Sequence, residues 1–258
     1  MIDHSAMKLG KRPPVLDPRT LRLTRYLIPE ALPPVPPVVD WSGPLVNFGM
    51  MRNDDLGDCT IAAAAHLVQV WTQDAAGAAV TIADSLIVAA YSAATGYNPA
   101  DPNTDQGANE LDILKFWRSQ GIGTHKIGAY VGVNPTDHDH VRAALYLFGG
   151  LYIGLALPIT AQRQAFWDVP DGGPTGDGEP GSWGGHAVCV VEFDQNSLTC
   201  ITWGQKKVLT WPFWDTYTDE AYAILSPDWL AQNRAPVGLD LATLQADLQV
   251  VTAADSRP

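Results

Sequence analysis

The cysteines of this chain differ in their surroundings, and one of them stands where a nucleophile could be activated. Cys59 follows Gly57 and Asp58 and opens an alanine-rich stretch, residues 59–71, that lacks glycine and proline and therefore favours a helix. The N-terminus of a helix carries positive partial charge, which lowers the pKa of a thiol and favours the reactive thiolate. Cys59 is therefore a candidate nucleophile, although a cysteine in this position can equally be a small core residue.

A thiol nucleophile needs a base, and His186 is the best placed of the six histidines. It opens an apolar segment of strand-forming residues, directly after a Trp-Gly-Gly stretch that ends at Gly185. The other five lie in the N-terminal stretch, on the same predicted helix as Cys59, in a loop or in a polar stretch: His4, His66, His125, His138 and His140. No third ligand stands beside the last two, so we expect no metal site. The Cys–His chemistry requires no organic cofactor either.

The two halves of the chain differ in their patterns. Helices are predicted at residues 59–71, 82–94, 110–120 and 136–148. Short apolar segments rich in strand formers follow at residues 151–157, 186–193, 198–203 and 220–225. This order predicts an α+β fold of four parts. These are a proline-rich extended strap at 1–38, a mainly helical lobe with Cys59 at 39–150, a β lobe with His186 at 151–225, and a tail with one helix at 226–258.

The composition limits which classes of partner and which cellular locations we expect. The formal net charge of −12 repels phosphate backbones, so we expect no nucleic-acid partner. Neither a secretory signal nor a membrane-length apolar run stands out, so we expect no membrane association and a cytoplasmic protein, or a virion-associated one if phage-encoded. Three cysteines argue against a disulfide framework, and Cys189 and Cys200 lie in apolar strand-like segments.

Two segments near the first candidate carry a family resemblance. The stretch VDWSGPLV at residues 39–46, followed by MRNDDLGDCT at residues 51–60, resembles the start of mature papain-like cysteine peptidases. Gly57, Asp58 and Cys59 fall on the family's Gly-Ser-Cys. Asn53 stands six residues before Cys59, where the family has the glutamine that donates to the oxyanion hole, and an asparagine amide is a donor as well.

The resemblance continues in the same order along the chain. DQGAN at residues 105–109 is similar to the Cys-x-Gly-Gly motif, GGHAVCVV at 184–191 to the His-Ala-Val segment, ITWG at 201–204 to Asn-Ser-Trp-Gly, and DEAY at 219–222 to the closing Glu-x-Gly-Tyr strand. Trp203 falls on the tryptophan that shields the catalytic hydrogen bond. The resemblance thus implies a set of substrate-binding residues beside Cys59 and His186: Gln106, Gly107, Ala108, Trp183, Gly185 and Trp203.

Two departures from the family pattern bear on function. Leu56 and Asp105 replace both cysteines of one family disulfide, which fits a reducing compartment. Ile201 replaces the asparagine that orients the catalytic histidine, and isoleucine cannot hydrogen-bond. Counting residues in a hairpin that turns at 195–196 places Gln205 opposite His186 and Cys189 opposite Thr202, provided that no bulge intervenes. We therefore predict that Gln205 orients His186, although it can equally be a surface residue.

Together the resemblance implies a two-lobed papain-like fold with a cleft between the lobes. Cys59 and His186 would form a thiolate–imidazolium pair that attacks a peptide or amide carbonyl, with Asn53 and the Cys59 N–H stabilising the oxyanion. Two alternatives stay open. One is a weakly active or non-catalytic module that serves as a structural or binding part of an assembly such as a phage particle. The other is acyl transfer or amide hydrolysis on a small molecule.

Overall fold

A computed structural model describes residues 3–230 and 237–255 of the chain. The helices in this part are α1 Cys59–Ala76, α2 Asp84–Thr95, α3 Glu110–Ser119, α4 His138–Phe148, α5 Trp211–Tyr217, α6 Pro227–Leu230 and α7 Leu241–Asp255. The strands are β1 Val39–Asp40, β2 Ala129–Gly132, β3 Leu151–Leu157, β4 Gly184–Phe193, β5 Ser197–Thr202, β6 Gln205–Thr210 and β7 Thr218–Leu225. The α+β fold predicted from the sequence is confirmed.

The four predicted helices of the first half form, and short-range signals set their ends. The Asn109 side chain accepts a hydrogen bond from the Leu111 N–H and caps α3, and Asp137 caps α4 in the same way. α1 runs five residues further than predicted and stops at Gly77, which adopts a left-handed conformation with φ 69°. Asp58 precedes α1 but makes no side-chain capping bond, so the cap that its residue type suggests does not form.

The strands form one antiparallel sheet in the order β2-β7-β3-β4-β5-β6, with β1 added to β4. Sequence patterns missed β1, β2, β6, α5 and α6, so the tail predicted to hold one helix holds two in its described residues. β2 has only four residues, and β6 has the polar sequence QKKVLT, so neither reads as an apolar segment. β2 and β6 are the two edge strands of the sheet.

Two apolar cores lie in the molecule. α1, α2 and α3 pack into one core, and α1 is buried on nearly all its faces, as expected for a helix that is apolar all round. α4 and α5 pack with the sheet strands into the other core. α1 contacts β4 extensively, which brings the start of α1 against the start of β4, where Cys59 and His186 lie.

The segment before residue 39 is extended for much of its length, with two short 3-10 turns at Leu23–Arg25 and Pro29–Ala31. It is not confined to the surface, because His4, Lys11, Leu23 and Tyr26 are buried. Within the described residues, no helix combines the length and the apolar character that crossing a membrane would need.

Candidate active site

Cys59 is the first residue of α1, and its thiol is completely buried. The Ala187 N–H, next in the chain to His186, lies 3.4 Å from the Cys59 sulfur. The pKa of the Cys59 thiol is raised to about 12, chiefly by burial and to a smaller extent by the nearby Asp58 carboxylate. A helix N-terminus contributes only about 0.3–1 kcal/mol, too little to offset the desolvation of a buried thiolate. The low thiol pKa expected from the sequence is therefore wrong for this closed state.

His186 is also completely buried, and its two ring nitrogens have different surroundings. Nε2 lies 2.7 Å from the Thr202 hydroxyl, whereas Nδ1 has no hydrogen-bond partner among the described residues. The Trp203 ring stacks on the imidazole at a centroid distance of 4.5 Å. Burial lowers the pKa of His186 to about 3, so the ring is neutral near pH 7. An Nε2–H that donates to Thr202 leaves the Nδ1 lone pair free to act as a base.

The prediction that Gln205 orients His186 is wrong. The β4–β5 hairpin keeps the counted register at Phe193 and Glu192, then shifts at a bulge, so that Cys189 pairs with Ile201 rather than Thr202. Gln205 lies on β6, and its amide nitrogen is 2.9 Å from Nε2 of His4. The bulge moves the register by one residue, and the hydroxyl of Thr202 supplies the bond that was assigned to Gln205.

Asn53, the predicted oxyanion donor, is buried in the loop that leads to α1. Its amide nitrogen donates to the Leu56 carbonyl, 3.1 Å away, which fixes the side chain within this loop. An amide nitrogen carries two hydrogens, so this bond leaves one donor for a second acceptor. Asn53 thus lies four residues before Gly57, in the turn that leads to Cys59.

Residues 8–12, here called the cleft segment, cover the candidate pair. The Gly10 N–H faces the Cys59 thiol, and the Gly10 carbonyl accepts a hydrogen bond of 2.8 Å from the Ala108 N–H. The Lys11 N–H donates to the Gly185 carbonyl at 3.1 Å. A side chain at Gly10 has no room, because a Cβ there would lie 1.8 Å from the Gly57 carbonyl oxygen.

The cleft segment contacts most of the residues that the resemblance assigns to substrate binding. Arg12 donates to the Gln106 carbonyl and the Trp203 indole donates to the Lys8 carbonyl. Trp183 packs against Trp203 with the ring centroids 5.6 Å apart. Residues 8–12 therefore lie against the groove that these predicted substrate-binding residues would form.

Comparison with solved structures identifies the architecture. The chain aligns with xylellain, a cysteine protease from Xylella fastidiosa, at a TM-score of 0.65 and 15% identity, over 87% of this chain and 98% of that one. It aligns with procathepsin B S9 from Trypanosoma congolense at a TM-score of 0.58 and 10% identity, over 86% and 88% of the two chains. The chain has a papain-like fold.

The papain-like likeness is one of structure. Digestive procathepsin L 3 of Tenebrio molitor aligns at a TM-score of 0.56 and 10% identity, over 86% of this chain and 77% of that one. No protein-family model and no curated protein sequence matches the chain. Identities of this size mean that the residues of the site must be judged from their own geometry.

Within the papain-like fold, Cys59 and His186 are both buried and neither is ionised near pH 7. The thiol of Cys59 and the neutral ring of His186 lie on adjacent walls, and water is excluded from both. Displacing the cleft segment would admit water, which lowers the pKa of the thiol and raises that of the imidazole. The same residues would then be able to exchange the proton that the closed state holds on sulfur.

Proposed function

We propose that this chain is a papain-like thiol hydrolase that cleaves peptide or amide bonds with Cys59 and His186, and that the cleft segment keeps it inactive until it moves. One observation carries the proposal. His186 is held at Nε2 by Thr202 while Nδ1 is buried without a partner among the described residues, and the N–H of the next residue, Ala187, contacts the Cys59 sulfur. A buried unpaired nitrogen costs about 1–3 kcal/mol, which is accounted for if that nitrogen serves as a base.

The chemistry follows from these positions. With the groove open, Nδ1 of His186 takes the Cys59 proton and the thiolate attacks the substrate carbonyl carbon. The oxyanion accepts hydrogen bonds from the Cys59 N–H, which has no partner within the first turn of the helix, and from the second amide hydrogen of Asn53. The imidazolium then protonates the leaving amine, and water releases the acyl group from sulfur.

A second candidate has support from the same groove. Ile201 occupies the position of the family's orienting asparagine, and the cleft segment fits the groove closely enough that Gly10 tolerates no side chain. Both features fit a papain-like module kept as a structural or binding part of a larger assembly. The two candidates differ in what the chain does once the cleft segment is displaced.

The variant Gly10→Leu tests this difference, because its side chain would overlap the Gly57 carbonyl and expel the cleft segment. We expect this variant to hydrolyse a mixed peptide library, and the further change Cys59→Ser to abolish that hydrolysis. Gly172→Leu is the matched control, since a Cβ at Gly172 meets no atom within 4 Å. Rapid alkylation of Cys59 in Gly10→Leu without any hydrolysis would favour the binding module.

A further inference from the structure

The Lys11 side chain points from the cleft segment into a closed, acidic pocket. Its ammonium lies 2.8 Å from Asp219 and 3.0 Å from Glu220, and only 1% of the side chain is exposed. Burial alone would lower the pKa of Lys11, but the carboxylates around it reverse the effect and raise that pKa above its usual value. The pocket therefore holds a charged ammonium out of water.

The pocket contains more carboxyl groups than Lys11 pairs with. Glu110, the first residue of α3, is completely buried, and neither of its carboxyl oxygens has a hydrogen-bond partner among the described residues. Burial raises the pKa of Glu110 well above its usual value, Glu220 raises it as well, and Lys11 acts in the opposite direction. We call Glu110, Asp219 and Glu220 the acidic pocket. Without Lys11, three carboxyl groups would face one another with no cation between them.

The shape of the acidic pocket is fitted to a long straight side chain. Gly154 on β3 forms part of the wall, and a Cβ there would lie 1.9 Å from Cε of Lys11. A Cβ at Gly185 would lie 2.2 Å from the Lys11 carbonyl oxygen. The absence of side chains at these two positions lets the backbone approach the groove and lets an aliphatic stem pass to the carboxylates.

The acidic pocket lies beside the candidate nucleophile. Gly10, the residue before Lys11, directs its N–H at the Cys59 thiol, and the charge of Glu110 acts on the same thiol. A peptide that occupied the groove would therefore place one side chain in this pocket while its backbone passed Cys59. Glu220 is further fixed by the Tyr222 hydroxyl, which donates to it at 2.9 Å.

We infer that the acidic pocket is the specificity pocket for a lysine or arginine side chain of a peptide substrate, and that Lys11 occupies it in place of that side chain. This inference rests on the proposed function, because a bound peptide is a substrate only if the chain hydrolyses it. Binding of the peptide to the pocket can be tested without catalysis. A cation is required because an uncharged side chain would leave the buried carboxyl groups uncompensated. Peptides with acidic or aliphatic residues at this position are disfavoured for the same reason.

The binding test uses the full chain with Gly10→Leu, which displaces the cleft segment, and Cys59→Ala, which prevents hydrolysis. Fluorescein-labelled peptides with the sequence of residues 5–13 are titrated and followed by anisotropy. One carries lysine at the position of Lys11 and the other norleucine, which has a similar stem without the charge. We expect the lysine peptide, and an arginine version of it, to bind at least about 10-fold more tightly. Equal affinities would overturn the inference.

Two pocket variants sharpen the result. Glu220→Gln removes one carboxylate and should reduce the preference for lysine several-fold. Gly154→Ala places a Cβ where the lysine stem passes, 2.6 Å from an Asp219 carboxylate oxygen, and should weaken binding of the lysine peptide more than that of a peptide with alanine at that position. Gly172→Ala is the matched control for Gly154→Ala. Lys11→Ala offers a second way to release the cleft segment and must give the same order of affinities. A preference unaffected by both pocket variants would place recognition elsewhere.

A hydrolysis assay separates this inference from the proposed function. Gly10→Leu with Cys59 intact is given peptide substrates that differ only in lysine, arginine, norleucine or glutamate at the pocket position. We expect kcat/KM to be at least about 10-fold higher for the two basic substrates. Hydrolysis without this preference would refute the acidic pocket and leave the hydrolase standing. A lysine preference in binding with no hydrolysis of any peptide would refute the hydrolase and leave the acidic pocket standing.

Discussion

The N-terminal residues meet the groove at two ends that differ in chemistry. At one end, Lys11 forms ion pairs in the acidic pocket and Gly10 fits against Gly57. At the other end, His4 stacks on Trp203 at 5.1 Å and its ring nitrogen accepts one hydrogen bond from Gln205. Removing one partner of a buried ion pair costs more than removing a ring contact or a neutral hydrogen bond. The Lys11 end therefore locks the groove, and the His4 end adds a smaller, adjustable contact.

The largest expected effect comes from removing the ion pairs that Lys11 makes with Asp219 and Glu220. Lys11→Met keeps most of the stem but removes the ammonium, leaving the acidic pocket without its cation. We expect the rate of Cys59 alkylation by iodoacetamide to rise roughly 10- to 100-fold, because the groove opens more often. Lys8→Met is the control, since Lys8 lies in the same segment with an exposed side chain. A rise of less than twofold would mean that the ion pairs do not hold the segment.

A second prediction separates groups that hold the segment from groups that serve His186. In the Gly10→Leu background, Thr202→Val removes the only described hydrogen bond to the His186 ring and keeps the side-chain shape. We expect kcat for peptide hydrolysis to fall about 10-fold, because an unheld imidazole samples unproductive orientations and tautomers. Thr202→Ser should restore most of the rate. An unchanged kcat in Thr202→Val would remove Thr202 from the site.

The His4 end should respond to pH. Burial and the charge of Lys207 lower the pKa of His4 below its usual 6.5, while the Gln162 carbonyl and Asp3 act in the opposite direction. The docked state therefore binds protons less well than the free segment, so docking weakens as the pH falls through 6.5. Amides of residues 8–12 should lose hydrogen-exchange protection about 3- to 10-fold between pH 7 and pH 5.

His4→Phe isolates this contribution, because phenylalanine can stack on Trp203 but cannot be protonated. Glu110 and Glu220, whose pKa values are raised, remain in this variant. We expect the part of the pH dependence that belongs to His4 to disappear. Identical exchange profiles in His4→Phe and the parent chain would show that His4 does not adjust the segment.

The smallest expected effect is that of Gln205→Ala. Loss of its single hydrogen bond to His4 should raise Cys59 alkylation about 2- to 5-fold, in keeping with roughly 1 kcal/mol for one neutral hydrogen bond. In Gly10→Leu, where the segment is already displaced, Gln205→Ala should leave kcat unchanged. A fall in kcat comparable to that of Thr202→Val would return Gln205 to the catalytic role that the sequence suggested.

Local signals in the sequence predicted one wall of the site well. Cys59 begins α1 because alanine-rich residues follow it, and Asn109 caps α3 through a bond only two residues long. The partner of His186 depends instead on strand register across a hairpin. The bulge after Val190 shifts that register by one residue, and no residue type in the hairpin predicts the bulge. The Thr-Trp pair that follows Ile201 offered one usable signal, since a threonine hydroxyl was the nearest polar group to the lost asparagine.

The sequence could not predict that the cleft segment fills the groove, for a similar reason. Prolines predicted an extended N-terminal strap, but its path depends on contacts between residues about 100 to 200 positions apart in the chain, such as Gly10 with Ala108 and Lys11 with Asp219. Lys11 and the three acids of the pocket each look like ordinary surface residues when read alone. They form a buried ion-pair cluster only when the fold brings them together and excludes water.

The central claim is that Cys59 and His186 act as a pair once the groove opens, and the pH dependence of Cys59 alkylation in Gly10→Leu tests it directly. The closed state holds the Cys59 pKa at about 12, above the usual value of 9. We predict that in Gly10→Leu the alkylation rate follows a thiol pKa well below 9, and that His186→Gln moves it back to 9 or above. A thiol that titrates at or above 9 in Gly10→Leu, regardless of the residue at position 186, would contradict the account.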